Sequence, residues 1–128
     1  MCMVAGSLLG ADVLGQTSVE RTYFENGMLR STQYVAAGAL HFIHYYENGK
    51  VREMGSYRNG SPDGPWRQFD ASGALTARVR FQKGRPVGES DLYLADRNLS
   101  GKLYYQEGAL RKAEMRNALG ELVATKDY

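Results

Sequence analysis

Two histidines and one cysteine are the residues best suited to bind a transition metal, and their spacing does not bring them together. His41 and His44 are three positions apart. That spacing would place both imidazoles on one side of a helix, whereas a β-strand places them on opposite faces. Because the chain has only 2 His and 1 Cys, a metal site would need carboxylates from other strands. The sequence therefore predicts neither a metal site nor a cofactor.

Acidic and nucleophilic residues form no catalytic set either. Glu25, Glu47 and Glu107 recur one or two residues before a glycine. A carboxylate repeated at the same place in each unit is expected to accept hydrogen bonds from turn amides or to pair with nearby cations. Three serines lie in turn-like stretches with no base in view: Ser61, Ser72 and Ser100. No glycine-rich loop opens a helix after a strand, as a phosphate-binding loop would require. We expect no catalytic residues and no enzymatic activity.

Regularly spaced turn residues divide the chain into the secondary-structure elements that position these groups. Turn glycines follow one another at intervals of 11, 11, 11, 13, 11, 24 and 12 residues, and Arg97-Asn98 falls within the long interval. Asn48-Gly49 and Asn59-Gly60 are dipeptides that a two-residue type I′ hairpin turn prefers, because both positions need φ > 0. The residues assigned to structural turns are Asn26, Gly27, Asn48, Gly49, Asn59, Gly60, Asp63 and Gly64. Such a period indicates a repeat array.

The segments between these turns have the pattern of strands. The clearest segment alternates apolar with polar or cationic residues: Leu75, Thr76, Ala77, Arg78, Val79, Arg80, Phe81 and Gln82. Period two gives one apolar face and one wet, cationic face. No long interval free of glycine shows helical periodicity. The chain is therefore predicted to be all-β, an antiparallel meander of repeated hairpins forming an extended, twisted single sheet of about nine or ten strands.

Composition limits the chain to one domain and excludes some partners. The 128 residues include 15 Gly and 9 Tyr but only 3 Pro, a mixture that suits strands and tight turns. A formal charge of +2, from 16 Lys+Arg and 14 Asp+Glu, is too balanced to indicate nucleic acid or an anionic membrane as an obligatory partner. The single cysteine, Cys2, forms no internal disulfide, so cysteine usage does not indicate a redox compartment.

Residues 1–18 differ in composition from residues 19–128, which we assign to the repeat sheet. The first sixteen residues contain no Lys or Arg and one acid, Asp12. They have the apolar core of a secretory signal without its positive start, with Val13-Leu14-Gly15 at a plausible cleavage site. The alternative is an apolar strand or helix packed on the first repeat. Export to the periplasm or outer envelope and residence in the cytoplasm are both compatible with this leader. The stretch is too short for a transmembrane helix.

Several segments resemble the MORN-repeat variant, whose units read approximately as Tyr-Tyr-x-Asn-Gly-Lys-Leu, a strand, and then Asn-Gly-x-x-Asp-Gly with an aromatic residue. Three ranges are similar to the first half-unit: Tyr23–Leu29, Tyr45–Val51 and Tyr104–Leu110. Asn59–Trp66 is similar to the second half-unit, and the likeness weakens at Ser90–Leu99. Bacterial proteins of this type resemble the YwqK group of proposed antitoxins and some envelope proteins. The resemblance implies a non-enzymatic β-repeat interaction module.

Aromatic pairs next to the turns are the most conspicuous repeated side chains. The pairs are Tyr23-Phe24, Tyr45-Tyr46 and Tyr104-Tyr105. Adjacent residues in a strand point to opposite faces, so each pair is expected to place one ring on each face and to form two aromatic ladders. Most of these rings then belong to the scaffold, and Trp66, which follows Asp63-Gly64-Pro65, is expected to anchor a turn.

The remaining functional signal is arginine mixed with aromatic residues. Arg78 and Arg80 share a face, whereas the facing of Arg52, Arg58 and Arg67 does not follow from the sequence. Such a mixture is typical of a protein-binding surface and also suits anionic lipid head groups, while a plain solvated face explains it equally well. The candidate partner-binding residues are Arg78, Arg80, Tyr45, Tyr46 and Tyr57. We expect a protein partner, with anionic lipid as the alternative; the oligomeric state does not follow from the sequence.

Overall fold

The described part of this computed structural model comprises residues 5–6, 18–94 and 98–128, and these residues form one open antiparallel sheet without helices. Its strand segments are β1 (Ala5–Gly6), β2 (Val19–Tyr23), β3 (Leu29–Ala36), β4 (Ala39–Tyr45), β5 (Val51–Arg58), β6 (Ser61–Pro62), β7 (Gly64–Phe69), β8 (Leu75–Gln82), β9 (Arg85–Pro86), β10 (Gly88–Leu94), β11 (Leu99–Gln106), β12 (Ala109–Arg116) and β13 (Leu122–Asp127). Their order in the sheet is β1-β2-β3-β4-β5-β7-β8-β10-β11-β12-β13, with β6 on β5 and β9 on β8. The predicted all-β meander is confirmed.

The strand number also agrees with the expectation once two interruptions are recognised. A single residue, Asp63, separates β6 from β7, and Val87 separates β9 from β10. Each pair of segments therefore runs as one interrupted strand, which gives ten strands from Val19 onward. Within the described ranges, no helix is long and apolar enough to cross a membrane.

Two kinds of turn alternate along the chain, one at each end of the strands. At one end, called the tight-turn end, both turn residues have positive φ: Ala37-Gly38, Asn59-Gly60, Lys83-Gly84 and Glu107-Gly108. This is the geometry of a type I′ turn. At the other end, called the loop end, the glycine alone among the loop residues has positive φ, in Phe24–Met28, Tyr46–Lys50, Asp70–Ala74 and Asn117–Glu121. The prediction for Asn59-Gly60 is confirmed.

The type I′ prediction for Asn48-Gly49 is wrong. Gly49 has a φ of 88°, but Asn48 is not among the residues with positive φ. The Gly49 amide donates to the Tyr46 carbonyl at 3.0 Å, and the Tyr46 amide donates to the Lys50 carbonyl at 2.8 Å. The Asn48 side-chain oxygen accepts from the Lys50 amide at 2.9 Å. Asn48 thus stabilises the longer loop through its side chain, as turn asparagines commonly do. Asn26 has the same role before Met28.

Asp63 and Gly64, assigned to a turn from the sequence, do not reverse the chain. Asp63 interrupts one strand between β6 and β7, and Gly64 is the first residue of β7. The Asp63 amide and the Ser56 carbonyl are joined at 3.0 Å, and the Ser56 hydroxyl donates to the Asp63 carbonyl at 2.5 Å. Gly64 has a φ of 87°, which an interruption of this kind readily accommodates with glycine.

The sequence predicts that Tyr45-Tyr46 and Tyr104-Tyr105 occupy equivalent places beside their turns, and the structure shows that they do not. Tyr45-Tyr46 leads into the loop end, whereas Tyr104-Tyr105 leads into the tight turn at Glu107-Gly108. Four strands lie between β4 and β11 when each interrupted strand is counted once, so the two pairs run in opposite directions and approach opposite ends of the sheet. Glu107 therefore lies in a different kind of turn from Glu47.

Cross-strand pairing defines the two faces of the sheet. The face called the apolar face carries mainly hydrophobic side chains: Val35, Leu40, Phe42, Tyr57, Trp66, Val79, Phe81, Leu92 and Leu103. The opposite face, called the arginine face, carries cations at paired strand positions, among them Arg21, Arg58, Arg67, Arg78, Arg80, Lys102 and Lys112. The predicted division of β8 into an apolar and a cationic face is confirmed.

Packing is concentrated in the middle of the apolar face because no second layer covers it in the described part of the chain. Phe42 is buried there, and the other buried hydrophobic residue of the described chain, Ala39, lies on the arginine face beside Ala36. Trp66 lies over Gly55 and is in edge contact with Phe42 and Phe81, at ring-centroid distances of 5.1 and 5.3 Å. Edge-to-face contacts of this kind stabilise by about 0.5–1.5 kcal/mol each beyond area burial.

The predicted pair of aromatic ladders is not what the rings form. The cluster joins Phe42, Tyr57, Trp66 and Phe81, all on the apolar face. None of the described ring contacts joins two members of the aromatic pairs beside the turns. Trp66 is also not a turn anchor, since it lies within β7 at the centre of this cluster and donates to the Ser56 carbonyl at 3.1 Å.

The leader prediction lies almost entirely outside the described residues. Only Ala5–Gly6 and Ser18 of residues 1–18 are described. Ala5 pairs with Thr22 and Gly6 with Arg21 in an antiparallel ladder. Signal-peptide cleavage and localisation stay predictions.

Candidate functional site

Three arginines from two neighbouring strands meet on the arginine face. Arg67 of β7 and Arg78 of β8 are direct cross-strand partners, and Arg80 is paired with Pro65. All three are exposed. Like charges directly opposite each other destabilise an antiparallel pair, so the fold alone does not favour this arrangement.

Charge is segregated between the two faces from β2 to β8. The paired positions of the arginine face in these strands contain no carboxylate, while Glu20 and Glu53 stand on the apolar face. Each of these acids meets a side-chain amide: Gln33 donates to Glu20 at 2.8 Å, and Gln68 donates to Glu53 at 3.2 Å. Two cations of the arginine face in these strands are nevertheless paired: Arg58 lies 3.5 Å from Asp63, and Arg78 pairs with an acid of β10. Arg67 and Arg80 make no ion pair in the described part of the chain.

From β10 onward, carboxylates of the arginine face form a chain of ion pairs with its cations. Asp91 accepts from Arg78 Nε at 3.0 Å and Nη2 at 2.7 Å, and Lys102 Nζ lies 3.8 Å from its other oxygen. Lys102 also donates to Glu89 at 3.2 Å. The hydrogen bond with Asp91 raises the pKa of Arg78, and that with Glu89 raises the pKa of Lys102. Arg78 is thus already engaged by a carboxylate.

Glu114 forms a separate group of ion pairs on the same face, in a partly covered position. The Tyr104 hydroxyl donates to Glu114 at 2.5 Å, and the nitrogens of Lys112 and Arg116 lie 3.4 and 3.9 Å away. The hydrogen bond from Tyr104, followed by Lys112, lowers the pKa of the Glu114 carboxyl. The same hydrogen bond raises the pKa of the Tyr104 phenol. These residues have the geometry of a structural network rather than of a reactive pair.

A groove of about 160 Å³ adjoins the arginines on the same face. The Tyr34 and His41 rings stack at 5.1 Å between centroids and form one side. Ile43 and Met54 lie at its base, and Arg67 lies at the opposite side. The groove therefore combines an apolar base with an exposed guanidinium.

The structure distributes the predicted partner-binding residues over both faces. Arg78, Arg80 and Tyr45 share the arginine face, where the Tyr45 hydroxyl is 3.4 Å from Thr32 Oγ1. Tyr57 is on the apolar face, in the cluster with Trp66. Tyr46 lies at the loop end and donates to the Phe69 carbonyl at 2.7 Å. Only the first three can contact one partner together on a single face.

Sequence reasoning did not place Arg67, Tyr34 and His41 at the site. The facing of Arg67 depends on a register shift between Gln68 and Phe69, and a shift of one residue reverses the face of every following side chain. The sequence draws attention to His41 only through its spacing from His44, which concerns metal binding. Its ring is on the arginine face and that of His44 on the apolar face, as the strand spacing predicts. Among the described residues, no group of three or more metal-ligating side chains comes together.

Comparisons with known proteins support the repeat character of the chain. A family model described as MORN repeat variant matches residues 41–59, which extend from β4 through the loop at Tyr46–Lys50 to the first residue of the tight turn at Asn59-Gly60. A search of curated proteins found no match.

Solved structures give only a distant likeness. One is an S. aureus TarM mutant in complex with Fondaparinux, alpha-GlcNAc-glycerol and UDP, at 11% identity and a TM-score of 0.49, covering 94% of this chain and 20% of that chain. Another TarM crystal structure has 15% identity and a TM-score of 0.43, covering 75% of this chain and 17% of that chain. The chain spans a fifth or less of the TarM chains, and these scores support no statement about activity. What the comparisons show is a stretch with the pattern of the MORN repeat variant inside a β-repeat sheet.

Proposed function

We propose that the chain is a non-catalytic interaction module that docks a protein partner on the arginine face. The match of residues 41–59 to the MORN repeat variant supports a β-repeat binding module. We choose the arginine face as the docking face because Arg67 and Arg78 stand directly opposite each other there. Two guanidiniums opposite each other repel, and carboxylates of a partner would remove that repulsion. Arginine beside aromatic groups is also the composition that protein interfaces favour.

The partner we propose is a protein that the module inhibits or holds at the cell envelope. The resemblance to the YwqK group of proposed antitoxins supports the first role, and the resemblance to envelope proteins supports the second. Coexpression separates the two. An antitoxin should restore growth when a toxic neighbouring gene is expressed with it, whereas an envelope module should fractionate with its partner in the envelope.

Affinity capture from the native host tests the docking face. The full chain and the variant Arg78→Glu/Arg80→Glu serve as baits, and each captured protein is identified, purified and titrated by calorimetry. Because Arg78→Glu also sets a new acid beside Asp91, the single variant Arg80→Glu is measured as well. We expect affinity for the purified partner to fall by about tenfold or more, since interfacial charge reversal is costly. Unchanged binding of every purified partner to both variants would reject the arginine face.

Recognition of an anionic membrane surface is the second candidate function, favoured by the exposed Arg67 and Arg80, which make no ion pair in the described part of the chain. It requires salt-sensitive sedimentation with anionic vesicles and none with neutral vesicles. Failure to sediment with anionic vesicles at low salt would exclude it.

A further inference from the structure

We propose that the contact made by the partner is an acidic segment in extended conformation. Two of its carboxylates, two residues apart, bind Arg67 and Arg80, and an apolar side chain two residues further along, on the same side of the segment, enters the groove beside Tyr34 and His41. This inference rests on the proposed docking function and names the chemistry of the segment that would be bound.

Arg67 and Arg80 are the two arginines of this site that no carboxylate of the described chain engages. Arg78 donates twice to one oxygen of Asp91, so its planar group is already occupied. Arg67 and Arg80 make no ion pair with any residue in the described part of the chain. Both are exposed. A guanidinium presents a rigid fork of donors that suits a carboxylate, so these two side chains are the available recognition groups.

The separation of Arg67 and Arg80 matches the separation of alternate side chains in an extended segment. Arg67 is opposite Arg78, and Arg80 lies two residues further along β8, which makes Arg67 and Arg80 diagonal neighbours on one face. Diagonal neighbours in an antiparallel pair are about 7–8 Å apart. Alternate side chains of an extended chain project from the same side at about 6.6–6.8 Å. An acidic residue, any residue and a second acidic residue therefore fit the two guanidiniums without bending the segment.

The groove next to Arg67 has room for an apolar side chain of the same segment. Pro65 and Arg67 of β7 line its side toward the arginine pair, and Met54 lies at its base. The Tyr34–His41 stack closes the other side. A volume of about 160 Å³ accepts one apolar side chain, which would fix the position of the segment relative to the arginines. Charge alone would leave that position undefined.

The site's dimensions favour a peptide over a lipid surface. Arg67, Arg80 and the base of the groove belong to β5, β7 and β8, which are hydrogen-bonded neighbours. Three adjacent strands span only about 10 Å across the sheet. A bilayer presents phosphates over a wide plane and does not supply a single side chain for a groove of this size.

Fluorescence anisotropy with labelled synthetic peptides tests the inference on the full chain. The probe places two Glu residues and one Val at alternate positions with Ser between them, so that all three side chains project from one side, and its isomer has the same composition with the two Glu residues adjacent. We expect the alternating probe to bind at least about tenfold more tightly than the isomer, since only the former places carboxylates at the arginine spacing. The variant Arg67→Glu/Arg80→Glu should lose this binding. The control variant Lys83→Glu/Arg111→Glu changes net charge equally at exposed sites away from the groove and should retain it.

Three results would overturn the inference: equal affinity for the two probes, equal loss in the two variants, or tighter binding to phosphatidylglycerol vesicles that depends on Arg67 and Arg80. The first two indicate plain charge attraction, and the third indicates a lipid head group. If the purified protein partner still binds the wild type when the alternating peptide does not, the peptide inference fails while the docking function stands. If neither binds, both are rejected.

Discussion

Arg67 and Arg78 stand directly opposite each other on neighbouring antiparallel strands. Arg78 turns its guanidinium toward Asp91 on its other side, at 2.7 Å. The neighbouring acid therefore partly relieves the repulsion on one side of β8, while Arg67 has no corresponding acid on the paired position of β5, where Met54 stands.

Reversing one of these charges should stabilise the sheet. The substitution Arg67→Glu creates an opposite-charge pair across the strands, and we expect the free energy of unfolding to rise by about 0.2–1 kcal/mol. Urea unfolding followed by tryptophan fluorescence measures the change. The control Arg80→Glu faces Pro65 and should alter stability little. A loss of stability in Arg67→Glu would contradict this account, whereas a gain together with lost partner binding would show a charge kept for recognition.

Gly55 should not tolerate a methyl group. A Cβ at this position would lie 2.7 Å from the Trp66 ring, so Gly55→Ala must displace the ring from its contacts with Phe42 and Phe81. We expect a loss of about 1–3 kcal/mol and a changed tryptophan emission. Gly101→Ala is the matched control, since its Cβ would meet Leu92 at an ordinary 3.6 Å. Equal effects of the two substitutions on the melting temperature would show that Trp66 does not depend on the bare backbone at Gly55.

The hydroxyl of Ser90 is expected to cost stability. Ser90 is 1% exposed, and its oxygen has no hydrogen-bond partner in the described part of the chain. An unsatisfied buried polar group costs about 1–3 kcal/mol, so Ser90→Ala should raise the free energy of unfolding. Ser56→Ala provides the contrast, because the Ser56 hydroxyl donates to the Asp63 carbonyl at 2.5 Å and its removal should destabilise. Thermal unfolding measures the change in stability of both variants. A loss of stability in Ser90→Ala would contradict this account and would indicate that the Ser90 hydroxyl has a hydrogen-bond partner.

Acidification should weaken the C-terminal half of the sheet through Glu114. The hydrogen bond from Tyr104 holds the pKa of this carboxyl below its ordinary value of 4.5. A lowered pKa in the folded state contributes stability that is present above the unfolded-state value and is lost as pH falls through the folded-state value. We therefore expect stability to decline below about pH 4.5, with a smaller decline in Glu114→Gln. Carboxyl titration by NMR measures the pKa directly, and Tyr104→Phe should move it back toward 4.5. An unchanged Glu114 pKa in Tyr104→Phe would reject the hydrogen bond as the cause.

Much of the fold was predictable from the sequence because period-two patterning and turn glycines are local signals. The alternation from Leu75 to Gln82 gave the correct faces for β8, and Asn59-Gly60 gave the correct turn. Asn48-Gly49 did not, since the same dipeptide also suits a longer loop in which the asparagine side chain caps the backbone.

The site was less predictable because it depends on features with weak sequence signals. A register shift between Gln68 and Phe69 decides what stands opposite Arg67 and its neighbours, and such irregularities are specified by the sheet rather than by one residue. The interruption at Asp63 resembled a turn for the same reason. Trp66 gave no sign of being central, since its position depends on Gly55 in another strand. The register shift, the interruption and the contact between Trp66 and Gly55 all depend on pairing between strands, which residue patterns within one strand do not specify.

The alternation of loop-end and tight-turn connections limits how the length of this molecule can change. Removing a single strand would bring a loop sequence to the end where both turn residues need positive φ, whereas removing a whole hairpin restores the original order. Glycines of successive loop-end connections are 22 residues apart from Gly27 to Gly49 and 24 apart from Gly49 to Gly73. Homologues that are longer or shorter are therefore expected to differ by whole multiples of such a block, and the binding surface would widen or narrow by two strands at each step.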